Sequence, residues 1–284
     1  MRWQGRRGSL NVEDRRGAGG GKAAAGGGLV LIGAAIVVGL LGGDPTMLLQ
    51  EGISRTIESQ VQKNGGSSHF SEVEQEEMVE FVSVVLAETE DTWGRYFTAR
   101  GQSYPEPSMV LFTGGVNSGC GFAQSAVGPF YCPVDQKLYL DLDFFYDLKA
   151  RHDAPGDFAQ AYVIAHEVGH HLQNVLGVLA RSEQMKRGKS RAEANKVSVK
   201  TELMADCFAG VWAADTNTKG LIERGDIDEA LKAASQIGDD TLQRQAQGHV
   251  VPDSFTHGSS AQRYEWFNRG YKSGDIEACD TFSM

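Results

Sequence analysis

The sequence has no Cys-x-x-Cys pair among its four cysteines, which excludes a zinc ribbon and a thioredoxin-type redox pair. It has little basic charge outside one terminal stretch. Residues 1–28 hold six basic and two acidic side chains, a balance of +4 within a net charge of −10, which leaves −14 for the remainder. A body that acidic excludes nucleic acid as a main partner. No strongly apolar run reaches the ~20 residues that define an unambiguous membrane helix; Leu29–Leu41 is shorter. What is present is ordinary globular material. With 284 residues, 41% hydrophobic and 23% charged, the chain has room for one substantial domain and a tail.

Residues 1–28, rich in Arg and Gly and without a hydrophobic period, read as a disordered basic tail. Residues 29–43, with their flanking glycines, make a marginal span that follows the basic tail, so the positive-inside rule predicts a membrane anchor with the N-terminus in the cytoplasm. A cleaved signal peptide and a buried core helix are the competing readings. Residues 44–70 read as a linker and 71–284 as the main domain.

Within that domain, Ser71 and Glu74 form a capping-box pattern, and Met78, Val82, Val85, Thr89, Trp93 and Phe97 recur at helical spacing, predicting a helix over 71–99. Ser108–Phe112 and Lys137–Asp141 read as strands, and Asp143–Arg151 as a short helix. Residues 178–198 read as a charged, solvated connection. Short helices follow over 226–237 and 239–247 with Asp226 and Asp239 as N-caps, and Ser259 with Gln262 starts a last helix.

Two segments carry chemistry. Phe158 to Leu176 has a helical hydrophobic period with Asp157 as its N-cap, and it contains His166-Glu167-Val168-Gly169-His170. Residues four apart on a helix share a face, so His166 and His170 are placed to bind one ion. Zn²⁺ suits imidazole nitrogen, and a catalytic site takes three protein ligands and keeps a position for water. Glu167 stands next to the first ligand, placed as the base. Gly169 inside the helix marks close approach of another backbone. Downstream, Glu202 and Asp206 are again four apart on an apolar helix, where buried carboxylates need partners. Glu202 as third ligand and Asp206 as acceptor for a ligand imidazole N–H would satisfy both. His171 points about 100° away from His170 and reads as non-ligating.

An even cysteine count fits an oxidising compartment. Cys120 and Cys132 bracket a Gly-rich loop, whose closure contributes roughly 3 kcal/mol. Cys207–Cys279 follows as the remaining pair, with a buried free thiol at Cys207 as the alternative.

The His-Glu-x-x-His and Glu-x-x-x-Asp pair, the Gly-Cys-Gly stretch, Glu-Leu-Met-Ala-Asp-Cys-Phe-Ala-Gly and Phe-Thr-His-Gly-Ser-Ser-Ala-Gln-Arg together resemble the bacterial neutral zinc metallopeptidases, a glutamate-zincin type, over residues 29–280. The resemblance implies an α+β fold: a mainly helical zincin-like domain with a small β-sheet beside the active-site helix. It implies a Zn²⁺-dependent endopeptidase acting on peptide or protein substrates. An extended substrate would add to a sheet edge, expected near or at Leu138–Asp141, with a plain interior strand as the alternative reading of those residues. With the anchor, it implies a single-pass protein of the bacterial cell membrane, its catalytic domain periplasmic or extracellular. His257, just before the last helix, is the candidate donor to a developing oxyanion, with Arg263 or Tyr264 as alternatives. Two non-catalytic readings compete: a zinc-containing peptide-binding or envelope interaction protein, and a structural zinc site.

Overall fold

The computed structural model describes residues 1–16 and 68–283. Its elements run β1 (Val12–Asp14), α1 (Glu72–Thr98), β2 (Ser108–Phe112), β3 (Gly115–Ser118), β4 (Gly121–Gln124), β5 (Phe130–Cys132), β6 (Lys137–Asp141), α2 (Asp143–Ala150), α3 (Asp157–Val175), α4 (Val178–Lys186), α5 (Arg191–Thr218), α6 (Asp226–Gln236), α7 (Asp239–Gln247) and α8 (Ser260–Ser273), with short 3₁₀ turns between some of them. The fold is α+β and mostly helical, with two small sheets.

The larger sheet has the order β1-β2-β6-β5, parallel across the first three strands and antiparallel at β5. Side chains alternate across a strand, and here both faces are covered. Met109, Leu111, Leu138 and Leu140 join the main helical core, while Val110, Phe112 and Tyr139 pack with Val116 of the β3–β4 hairpin. That double burial explains why Met109–Phe112 is a continuous apolar run. β6 is therefore interior, flanked by β2 and β5. Leu138–Asp141 thus lies next to the edge and not at it, the interior-strand alternative; the edge itself is Phe130–Cys132, a three-residue strand too short to announce itself in the sequence.

The helices stack on one another through two close crossings. A Cβ at Gly169 of α3 would lie 3.0 Å from the Ala205 backbone of α5. Between α5 and α8 the approach is tighter: a Cβ at Gly210 would lie 2.1 Å from the Phe267 carbonyl, and one at Gly270 would lie 2.0 Å from that of Cys207. A disulfide joins Cys207 of α5 to Cys279, just beyond α8, and another joins Cys120, at the turn of the hairpin, to Cys132 of β5.

Several expectations are corrected. Residues 1–16 are ordered and not a disordered tail. Met1 and Trp3 are buried, Trp3 meets Phe81 edge-on at 5.4 Å, Arg6 pairs with Glu88, and β1 is a sheet strand. The partners lie about eighty residues away on α1, so no local period betrays them. The Met1 ammonium sits among Asp157, Glu223 and Asp226. Residues 178–198 are α4 and the first turns of α5, begun by a Ser190–Glu193 capping box. Asp157, Asp226 and Asp239 are first-turn residues behind glycine caps. The α3 terminus is capped instead by Glu229, which accepts from the Phe158 N–H at 3.2 Å.

The membrane anchor, the single-pass cell-membrane localisation and the membrane as partner are also corrected. Among the described residues no helix is long and apolar enough to cross a membrane. Residues 17–28 of the expected tail, residues 29–43, and 44–67 of the expected linker lie outside the described residues. A chain crossing once between residues 16 and 68 would put β1 and β2 on opposite sides of a bilayer, yet they are hydrogen-bonded neighbours.

Candidate active site

α3, α5 and α8 meet at a cluster of buried polar side chains. His166 and His170 project from one face of α3 with their rings 4.9 Å apart and perpendicular. Glu202 of α5 reaches between them, Oε2 lying 3.2 Å from His166 Nε2 and Oε1 3.5 Å from His170 Nε2. One ligand atom from each of these three residues lies within 4.8 Å of the others, a group able to hold a metal ion.

The outward nitrogens fix which way each imidazole faces. His166 Nδ1 lies 2.8 Å from Asp206 Oδ1, so Nδ1 donates there and Nε2 is the nitrogen turned to Glu202. At His170 the partner is Gln173. Its Nε2 donates to the Thr201 carbonyl at 2.6 Å, so its Oε1 is the acceptor for His170 Nδ1 at 2.9 Å. Both rings thus turn Nε2 toward the same carboxylate; with those two nitrogens deprotonated, the three side chains supply the donor set a divalent zinc-type cation requires.

Asp206 is fully buried, and the His166 imidazole is not its only partner. Its Oδ1 also accepts from the Tyr162 hydroxyl at 2.6 Å and Arg263 Nη2 at 3.0 Å, and its Oδ2 accepts Arg263 Nε at 2.9 Å. Burial disfavours its charge, but the Arg263 guanidinium and His166 outweigh that and hold the carboxyl at about 2. Burial likewise opposes charge on His166, yet Asp206 and Glu202 raise it to about 10. Glu202 is held well below its ordinary value: burial opposes this, and His170 and His166 overcome it. Glu167 goes the other way, its carboxyl pushed up by burial against the partial offset of His170 and His166. It lines an apolar recess with Met109, Pro129, Leu140, Val163 and Ile164, which supplies that desolvation.

His171 lies on another face of α3. Its Nε2 donates to the Pro105 carbonyl at 2.6 Å and its Nδ1 meets the Tyr131 hydroxyl at 3.1 Å, tying α3 to the edge strand β5. His257 is partly exposed before α8 and lies close enough to Glu202 to influence its ionisation. Asp239 orients it: Oδ1 lies 3.1 Å from His257 Nδ1, and Oδ2 accepts from the backbone N–H of Thr256, His257 and Gly258. Arg263 is 4% exposed and committed to Asp206, Tyr162 and the Ile237 carbonyl, so it is not available as an oxyanion donor. Tyr264 is exposed.

Gln173, Tyr162 and Asp239 were not identified from sequence in these roles. Gln173 is three residues beyond His170 and Tyr162 four before His166, so a search for buried polar groups at helical spacing from the motif would have found them. Arg263 and Asp239 arrive from other helices, and no local pattern pairs them with their partners. A second acidic group, Asp157, Asp226 and Glu229, could also hold a cation by geometry, but two of its members already face the Met1 ammonium.

Comparison with known proteins gives the family. The profile of a zinc-peptidase family described as "Putative neutral zinc metallopeptidase" matches residues 1–282. The chain is 48% identical over 291 residues to the uncharacterized protein YpfJ of Escherichia coli (strain K12), covering 99% of each. It is 48% identical over 191 residues to uncharacterized proteins of Mycobacterium bovis (Mb2605) and Mycobacterium tuberculosis (Rv2575), covering 63% of this chain and 64% of theirs. No solved structure matches. With the family profile spanning nearly the whole chain, the protein belongs to the neutral zinc metallopeptidase family and is a hydrolase-type enzyme.

Proposed function

We propose that the protein is a zinc endopeptidase in which His166, His170 and Glu202 hold the metal and Glu167 is the general base. The carrying observation is the convergence of two Nε2 atoms and one carboxylate within 4.8 Å, each imidazole oriented by its own outer acceptor. Bound there, Zn²⁺ would polarise a scissile carbonyl and bring the pKa of water to about 7.

The protein's own groups do the rest. Glu167 adjoins the first ligand in a largely apolar recess, and its raised pKa moves it toward the range in which a carboxylate can take a proton and return it to a leaving amine. His257, held by Asp239 and facing the Glu202 side of the site, is the candidate donor to a developing oxyanion. Asp239 favours the protonated, donating form of that imidazole over the burial that opposes it. The β5 edge, locked to α3 through Tyr131 and His171, offers an extended peptide a strand to pair with.

Caseinolysis that is abolished by a chelator and restored by zinc is the expected result. His257→Ala should lower kcat with zinc content unchanged. Proteolysis that persists in thoroughly metal-depleted protein would rule out this reading.

A further inference from the structure

α8 contributes no metal ligand, yet it crosses α5 at the closest helix contact, through Gly210 and Gly270, and delivers one guanidinium to the back of the site. We infer that Arg263 is a positioning residue for the metal centre, acting through Asp206 on the orientation of His166. The inference rests on the metal assignment made above and goes beyond it, since Arg263 touches neither the ligand-facing nitrogens nor the substrate recess.

Asp206 Oδ1 receives three donors, from His166, Tyr162 and Arg263, whereas Oδ2 receives only Arg263 Nε. The guanidinium fork is thus the one contact that engages both oxygens and prevents rotation of the carboxylate about its Cβ–Cγ bond. Rotation would move Oδ1 away from His166 Nδ1 and free the ring to turn about its own side-chain torsions. The fork is itself tied down, by Nη1 to the Ile237 carbonyl at 3.2 Å and Nη2 to the Tyr162 hydroxyl at 3.1 Å, and Nη2 also lies 3.4 Å from His166 Nδ1, a longer contact than the 2.8 Å from that nitrogen to Asp206. The backbone that carries it is held too. Cys207 follows Asp206 directly and is bonded to Cys279 beyond α8. The buried guanidinium is also the larger of the two positive partners, with His166, that offset the buried Asp206 charge. Lysine would supply the charge but not the fork.

The test uses the full-length protein with Arg263→Lys, Arg263→Met, Asp206→Asn and the Arg263→Met/Asp206→Asn double variant, with His170→Ala as the ligand control. Zinc affinity is measured by chelator competition, the visible spectrum of the Co²⁺-substituted protein reports ligand geometry, and the melt of the metal-free form reports folding. Outer partners of metal ligands typically change affinity by about 10–100-fold. Arg263→Lys should melt cooperatively, bind zinc about 10-fold more weakly and shift the Co²⁺ bands, with Arg263→Met weaker still. The double variant should be little worse than Asp206→Asn alone, because both act on one contact. Wild-type zinc affinity and an unchanged Co²⁺ spectrum in Arg263→Lys would overturn the inference, as would fully multiplicative effects in the double variant. Loss of the cooperative melt in both arginine variants would also overturn it, by assigning the residue to folding. Failure of the wild-type protein to bind zinc, with His170→Ala indistinguishable from it, would instead bring down the metal assignment itself.

Discussion

The helix α3, which carries the proposed metal ligands His166 and His170, and the N-terminal segment 1–16 are both docked on the same core, but by different kinds of interaction. On α3 the polar side chains are buried in relays: Thr201 to Gln173 to His170 on one side, and Arg263 to Asp206 to His166 on the other. Each removes one rotational freedom from an imidazole. Residues 1–16 are held by an anchor and a rim, with Trp3 in the core, a parallel backbone pairing at β1, and arginines on the acidic face of α1. The first arrangement fixes side-chain direction to the precision metal binding needs. The second fixes only where the chain lies. Stability and metal geometry should therefore respond separately to changes in the two regions.

The largest effect is expected at the base. Glu167→Gln should lower kcat by about 10²–10⁴-fold while zinc content and melting temperature stay at wild-type levels, as followed by peptide hydrolysis and elemental analysis. Next is Trp3→Ala, which removes a core aromatic and should destabilise the fold by about 3–5 kcal/mol in denaturant unfolding. Zinc affinity in the fraction that is folded should not change. A loss of zinc affinity there would erase the distinction between the regions.

Gly169→Ala sharpens the contrast from the other side. The added Cβ meets the Ala205 backbone at 3.0 Å, at a crowding cost of about 1–3 kcal/mol. Alanine regains about 1 kcal/mol of helix propensity. Stability should fall by about 0–2 kcal/mol, whereas α3 and α5 must separate slightly and zinc affinity should fall measurably in chelator competition.

The smallest effect concerns acid. Glu88 is buried on α1; desolvation opposes its ionisation, but Lys219 and Arg6 overcome it and lower its pKa. A depressed carboxylate contributes stability that is fully present above the ordinary glutamate pKa of about 4.3 and is lost as pH falls through the lowered folded value. The melting-temperature gap between wild type and Glu88→Gln should therefore be constant near neutrality and close below that pH. A gap independent of pH would show that the ion pairs do not hold the segment.

The same contrast explains what could be read from the sequence. His166, His170, Glu202 and Asp206 lie at four-residue spacing on apolar helices, so local periodicity points to a shared face. The capping boxes at Ser71 and Ser259 were legible for the same reason. Asp239 was misread as a cap because cap rules see only the residues that follow. Its actual partners are the backbone of residues 256–258 and the His257 ring. Trp3 and Arg6 looked like part of a disordered tail because their partners on α1 are remote in sequence. β5 escaped notice as an edge because three residues cannot show a period of two.

The central claim is that two imidazoles and one carboxylate share a single cation. Elemental analysis of purified, extensively dialysed protein tests it most directly, in the wild type and in His166→Ala, His170→Ala and Glu202→Gln. One zinc per chain in the wild type, with marked loss in each variant, is the predicted result. A folded wild-type protein that carries no divalent ion and takes none up on titration would contradict it.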